Sequence, residues 1–211
     1  MSIHTVLFDL DGTLIDTNEL IIESFMYTFR QYGKNLAREE AIEFIGPPLR
    51  DTFLQYDPGQ AEAMIATYRE HNKLHHDDYV KAFPNVMETI DRLHREGFQL
   101  GIVTSKMKGT VDMGLAVTGL DHYFQTVITL DDVTCAKPHP EPVIMAINEL
   151  DANAESTLMV GDNSHDIEAG QNAGIRTAAV AWSLKSREKL LACRPTYMLE
   201  DMRDLLDIMG V

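Results

Sequence analysis

Apolar positions along the chain follow two rhythms. Short uninterrupted runs at residues 5–8, 99–104, 126–130, 157–161 and 177–182 are too short for helices and carry the residues of strands buried on both faces, as in a parallel sheet. Between them the spacing is helical. Residues 86–96, 113–117, 141–150 and 166–173 read as helices, with Gly97 and Gly174 as stops and Pro142 near a start, and the tail shows short helical patterns at 187–191 and 202–209. This alternation predicts an α/β fold.

The interval between the first two strand runs breaks the alternation. Asp16 and Glu19 have capping-box spacing ahead of Ile21, Ile22, Phe25, Met26 and Phe29, and further helical patterns follow at 38–45, 49–56 and 61–68. No strand pattern occurs before Gln99. A crossover needs one helix, so residues 16–81 are expected to form an inserted helical cap, and residues 1–15 with 82–211 the α/β core. Such a cap would open and close as a lid, hinged near 16–18 and 81–83.

At 211 residues and 45% hydrophobic content, the chain can bury one good core plus a smaller unit. It has no apolar stretch near the ~20 residues of a membrane span and starts directly on a strand, so cytoplasmic residence is expected. Cys135 and Cys193, the only cysteines, are read as ordinary thiols of a reducing compartment. Eighteen Lys and Arg against 33 Asp and Glu give a net charge of −15, which disfavours nucleic acid and anionic membranes as partners. An anionic substrate would then need a locally reversed field.

The first strand run ends in Asp9-Leu10-Asp11-Gly12-Thr13. Its carboxyl end is where open α/β sheets bind ligands, and an i, i+2 pair on extended backbone faces one side. Two carboxylates so close require a divalent cation or a shared proton. Later strand ends add Thr104 and Asp162, and Ala136-Lys137-Pro138-His139-Pro140 adds a lysine between rigid residues. These types suit phosphoryl transfer: Asp9 as nucleophile, Asp11 as acid then base, Thr104 and Lys137 as phosphate donors, Asp162 as a Mg²⁺ ligand. Asp166 is placed to hold Lys137 or a metal-bound water.

In motif order and content the chain resembles the haloacid dehalogenase superfamily of aspartate-nucleophile phosphatases. The motifs are Asp9-Leu10-Asp11-Gly12-Thr13, Thr104 after an apolar strand, Lys137 in Lys-Pro-His-Pro, and Gly161-Asp162-Asn163-Ser164-His165-Asp166. The resemblance implies a doubly wound parallel sheet, a Rossmann-like core, with Mg²⁺ bound by Asp9, Asp162 and the backbone carbonyl of Asp11, and an aspartyl-phosphate on Asp9. Ile45-Gly46-Pro47-Pro48-Leu49, Thr129-Leu130-Asp131-Asp132-Val133 and His165-Asp166-Ile167 are similar to the phosphoglycolate-phosphatase-like group. Within it they resemble the bacillar pyrophosphatases that work beside the HPr kinase/phosphorylase. That similarity implies inorganic pyrophosphate as substrate and a functional link to that kinase. It also puts Arg50 on the distal part of the substrate, helped by the Gly46 turn, as the one cap cation it places there.

Other readings compete with these. Phosphoglycolate or another small phosphomonoester is the alternative substrate, a sugar-phosphate mutase would use the same two aspartates, and a phosphoacceptor signalling module is opposed by the cap. A dehalogenase would not need Asp11. Arg50 has the alternative of an ion pair with Asp51 or a nearby acid, and Ser105 and Lys106 are expected at the substrate site, with an exposed lysine as the alternative for Lys106. His75-His76-Asp77-Asp78 is read as a solvated linker and not a metal cluster, Met26 and Met64 as core packing, and His139 and His165 as non-catalytic.

Overall fold

The computed structural model describes residues 2–211. Six strands form one parallel sheet: β1 (Thr5–Phe8), β4 (Gln99–Val103), β5 (Thr126–Ile128), β6 (Thr157–Gly161), β7 (Arg176–Val180) and β8 (Tyr197–Leu199). Their spatial order is β5-β4-β1-β6-β7-β8. The chain therefore builds outward from β1 in one direction, returns, and builds outward in the other, which is the doubly wound order. The reversal lies at β1 and β6, and a crevice opens there beyond the carboxyl ends.

Strand alternation sorts the core into two layers. Val6 and Phe8 of β1, Leu100 and Ile102 of β4 and Leu158 and Val160 of β6 pack with α5 (Val86–Arg95), α6 (Lys108–Thr118) and α10 (Asp204–Met209). Leu7, Val103 and Met159 face the other way, onto α7 (Glu141–Glu149) and α8 (Ser164–Asn172). A short helix, α9 (Arg187–Ala192), covers the β7 side through Leu190, Ile167 and Ala179. Burial on both faces explains why these strands read as continuous apolar runs.

Helices α1 (Asn18–Gln31), α2 (Arg38–Glu43), α3 (Leu49–Tyr56) and α4 (Ala61–Tyr79) enclose a separate apolar cluster that includes Phe25, Phe29, Phe53, Met64 and Tyr68. The Phe25 ring centroid lies 4.8 Å from that of Tyr68 and 5.6 Å from that of Phe53, within the range of favourable aromatic pairs. Met64 is core packing here; Met26 is partly buried against the same cluster.

Four expectations are corrected. Residues 15–16 and 81–82 form a two-stranded antiparallel ladder, β2 (Ile15–Asp16) with β3 (Lys81–Ala82), where no strand pattern was legible. Asp16 therefore belongs to a strand, α1 starts two residues later after Thr17, and the expected capping box does not form: Glu19 bonds Arg38 instead. His75-His76-Asp77-Asp78 is the end of α4 and not a linker, with His76 fully buried and its Nδ1 2.8 Å from Asp77. Finally, β8 extends the sheet where only helices were expected. Among the described residues no helix is long and apolar enough to cross a membrane.

Candidate active site

Asp9 follows β1, Thr104 follows β4 and Asp162 follows β6, so three neighbouring strands deliver one residue each to the crevice. Lys137 arrives from the loop before α7. Its Nζ donates to Asp9 Oδ1, Asp166 Oδ1 and the Val103 carbonyl, each at 2.7 Å. All three ammonium protons are thus used. Burial opposes the charge on Lys137, but Asp166 and Asp9 outweigh it and raise the amine above its usual range.

The carboxylates respond in the opposite sense. Burial pushes Asp9 up to about 7, with Lys137 pulling it down and Asp166 and Asp11 adding repulsion. Asp162 is likewise raised well above the carboxylate range, by burial first and then by Asp166 and Asp9. Carboxylate oxygens of Asp9, Asp162 and Asp166 lie within 4.8 Å of one another. Three buried acids facing one lysine leave an excess of negative charge, and an all-oxygen donor set suits a hard divalent cation. Asp166 is already engaged, since Oδ1 meets Lys137 and Oδ2 accepts the Asn163 amide at 3.0 Å. Asp9 and Asp162 are the better placed to hold an ion.

Asp11 is held by two donors. Thr17 Oγ1 and Lys106 Nζ both donate to its Oδ1 at 2.7 Å. Lys106 is therefore a half-buried partner of Asp11 and not a free surface lysine. Thr17 was missed in the sequence, where nothing but the turn back into β2 brings it beside Asp11. Gly12 makes this turn possible, because its φ of +78° suits glycine and a Cβ there would lie 2.5 Å from Asp162 Oδ2.

A cavity of about 620 Å³ lies over these groups. Its floor is Asp9, Asp11, Thr104, Ser105, Lys106, Lys137 and Asp162, and its roof includes Phe25, Ile45, Gly46, Arg50, Tyr68, Arg69 and Lys73. Thr104 Oγ1 accepts the Lys106 amide at 3.2 Å, and Ser105 Oγ is buried without a protein partner. Arg50 lines the rim but is exposed, and its guanidinium pairs with Glu62 at 2.8 Å, not with Asp51. Arg69 and Lys73 of α4 also line the cavity, so Arg50 is not the one cap cation there. The roof is tied down at several points: Asn163 Nδ2 donates to the Ile45 carbonyl at 3.1 Å, Lys185 Nζ to the Ile42 carbonyl at 2.7 Å, and Arg69 Nη2 touches Met107 Sδ at 2.8 Å.

Residues 6–180 match the family described as haloacid dehalogenase-like hydrolase. The chain belongs to that family. It is 57% identical over 212 residues to pyrophosphatase PpaX of Anoxybacillus flavithermus, covering 100% of this chain and 99% of that protein. The PpaX protein of Oceanobacillus iheyensis is 55% identical over 210 residues, covering 100% and 98%. Among solved structures, a haloacid dehalogenase-like hydrolase of Streptococcus pneumoniae superposes with a TM-score of 0.87 at 25% identity, covering 97% of each chain. A haloacid dehalogenase-like enzyme with such relatives is a phosphohydrolase, and in this chain Asp9 and Asp162 follow β1 and β6 while Lys137 reaches Asp9 from the loop before α7.

Proposed function

We propose that this phosphohydrolase cleaves inorganic pyrophosphate to two phosphates through an aspartyl-phosphate on Asp9, with Mg²⁺ as cofactor. The observation that carries the proposal is the buried Asp9–Lys137–Asp166 array beside Asp162 under a cavity whose roof and floor both present cations. Full-length relatives named pyrophosphatase supply the substrate class. Bound Mg²⁺, held by Asp9 and Asp162, would neutralise charge on the transferred phosphoryl group.

The protein's own groups divide the work. Asp9 attacks phosphorus while the bridging P–O bond breaks, and the departing phosphate takes a proton from Asp11. Asp11, now anionic, removes a proton from water as it attacks the phosphorus, which regenerates the Asp9 carboxylate and releases the second phosphate. Thr104 and Ser105 donate to the transferred group, Lys137 meets it by exchanging one of its three present acceptors for a phosphoryl oxygen, and Lys106 and Thr17 fix the orientation of Asp11. Arg50, with Gly46 shaping its turn, meets the leaving phosphate by giving up Glu62. Residues 16–81 act as the cap that closes on residues 1–15 and 82–211, expelling water before transfer. We place the enzyme in the cytoplasm, consistent with two cysteines that are both unpaired.

A product assay in Mg²⁺ tests the substrate. Pyrophosphate should give a higher kcat/KM than phosphoglycolate, and the reverse order removes the pyrophosphatase reading while leaving Asp9 chemistry standing. One observation favours the second reading, a small organic phosphomonoester: the roof is largely apolar, with Ile21, Phe25, Phe44, Leu49 and Tyr68 facing a space larger than pyrophosphate requires.

A further inference from the structure

The loop that carries Lys137 holds a second group of metal-ligating side chains, chemically unlike the first. Cys135, His139 and Glu141 each offer one donor atom, and these sulfur, nitrogen and oxygen atoms lie within 4.8 Å of one another. Cys135 is exposed and forms no disulfide. Around a tetrahedral Zn²⁺ such donors would sit about 3.5 Å apart, so a contraction of about 1 Å by side-chain rotation closes the set.

The backbone already holds this arrangement. Glu141 is the first residue of α7, and its carboxylate accepts the Thr134 amide at 2.8 Å and the Cys135 amide at 2.9 Å. His139 Nδ1 accepts the Glu141 amide at 3.2 Å and stands 3.9 Å from Glu141 Oε2. The His139 amide bonds the Ala136 carbonyl at 3.0 Å, and Asn172 Nδ2 bonds the Pro138 carbonyl at 3.0 Å. The Thr134 amide first, then the Cys135 amide and the neighbouring imidazole, hold the Glu141 carboxyl below its ordinary range against the effect of burial, so it is an anion at neutral pH. Neither Cys135, His139 nor Glu141 takes part in the Asp9 chemistry.

We propose that Cys135, His139 and Glu141 form a second cation site that takes a thiophilic divalent ion of the Zn²⁺ class, with water completing its shell. A thiolate and an imidazole favour Zn²⁺ or Co²⁺, whereas Mg²⁺ prefers the oxygen-only set at Asp9 and Asp162. The two sites therefore sort cations by softness. The ion would join both ends of the segment that delivers Lys137 to Asp9.

The test uses the full-length protein in excess Mg²⁺, titrated with Co²⁺ and followed by the thiolate-to-cobalt charge-transfer absorption, then by displacement with Zn²⁺. One equivalent should develop the band, and excess Mg²⁺ should leave it in place. Cys135→Ser should abolish the band, Cys193→Ser should keep it, and His139→Ala should weaken Co²⁺ binding on the order of 10²-fold. Asp9→Asn, which alters only the first site, should keep the band as well. The proposal is overturned if the wild-type protein gives no band, if Mg²⁺ removes it, or if it survives Cys135→Ser. Because the readout is spectroscopic and needs no turnover, its outcome is separate from that of the pyrophosphatase reading.

Discussion

Lys137 has no spare proton, and this decides what its loss would do. Replacing it with Met leaves Asp9 and Asp166 facing each other in a buried pocket without their shared cation. Removing one partner of a buried pair costs ~3–5 kcal/mol, so urea denaturation of Lys137→Met at pH 8 should show a loss of that size, with turnover abolished. A stability equal to wild type would mean that the two acids find protons or solvent at little cost. Asp9→Asn should fold but fail to turn over, because the amide keeps the shape and loses the nucleophile. Asp11→Asn should slow turnover ~10²- to 10⁴-fold, and an unchanged rate would take the acid/base role from Asp11. Asp9, Thr104 and Asp162 were legible in the sequence because each follows a buried apolar strand, Asp166 because it lies in the first turn of a helix, and Asp11 and Lys137 because they sit in fixed motifs. Thr17 and Asn163 were not legible as contacts: the Thr17–Asp11 bond depends on a turn, and the Asn163–Ile45 bond joins residues far apart in the chain.

Elements were legible in proportion to their length. Strands β1, β4 and β6 are apolar runs of four or five residues, but β2 and β3 have two residues each and so show no period. β8 is half-buried at an edge, and its Tyr197-Met198-Leu199 gives no alternation to read. The polar end of α4 hid a helix because only His76 of its four residues faces inward. The β2–β3 ladder nevertheless sits where hinges were expected, and the cap's opposite side rests on the Ile45–Gly46 turn. Gly46 has φ +117°, and a Cβ there would lie 2.4 Å from Asn163 Nδ2. Gly46→Ala should therefore strain the turn and push the cap off Asn163, raising KM for the phosphate substrate with a smaller effect on the melting temperature. Steady-state kinetics beside a thermal melt would show this, and an unchanged KM would mean that the Asn163 contact is not part of closure.

At the scale of the whole molecule, a chain of net charge −15 must gather anionic substrate onto buried acids, and those acids also set a pH dependence of stability. The folded-state pKa of Asp9 is about 7, against ~3.9 for an unfolded aspartate, and Asp162 is displaced in the same direction. Between those values the folded metal-free protein binds more protons than the unfolded chain. The stability from Asp9 is then full below ~3.9 and is lost as pH rises through about 7, and the contribution of Asp162 changes in the same direction. Mg²⁺ competes with more of those protons at pH 5 than at pH 8, so it should stabilise the protein more at pH 8. At a Mg²⁺ concentration of ~100 times its Kd the gain is ~2.7 kcal/mol, which in a chain of this size raises the melting temperature by roughly 5–10 °C. The rise at pH 5 should be markedly smaller, and Asp162→Asn should reduce it at both pH values. Equal rises at the two pH values, or a rise that survives Asp162→Asn, would place the stabilising ions on the acidic surface and detach Mg²⁺ from Asp9 and Asp162.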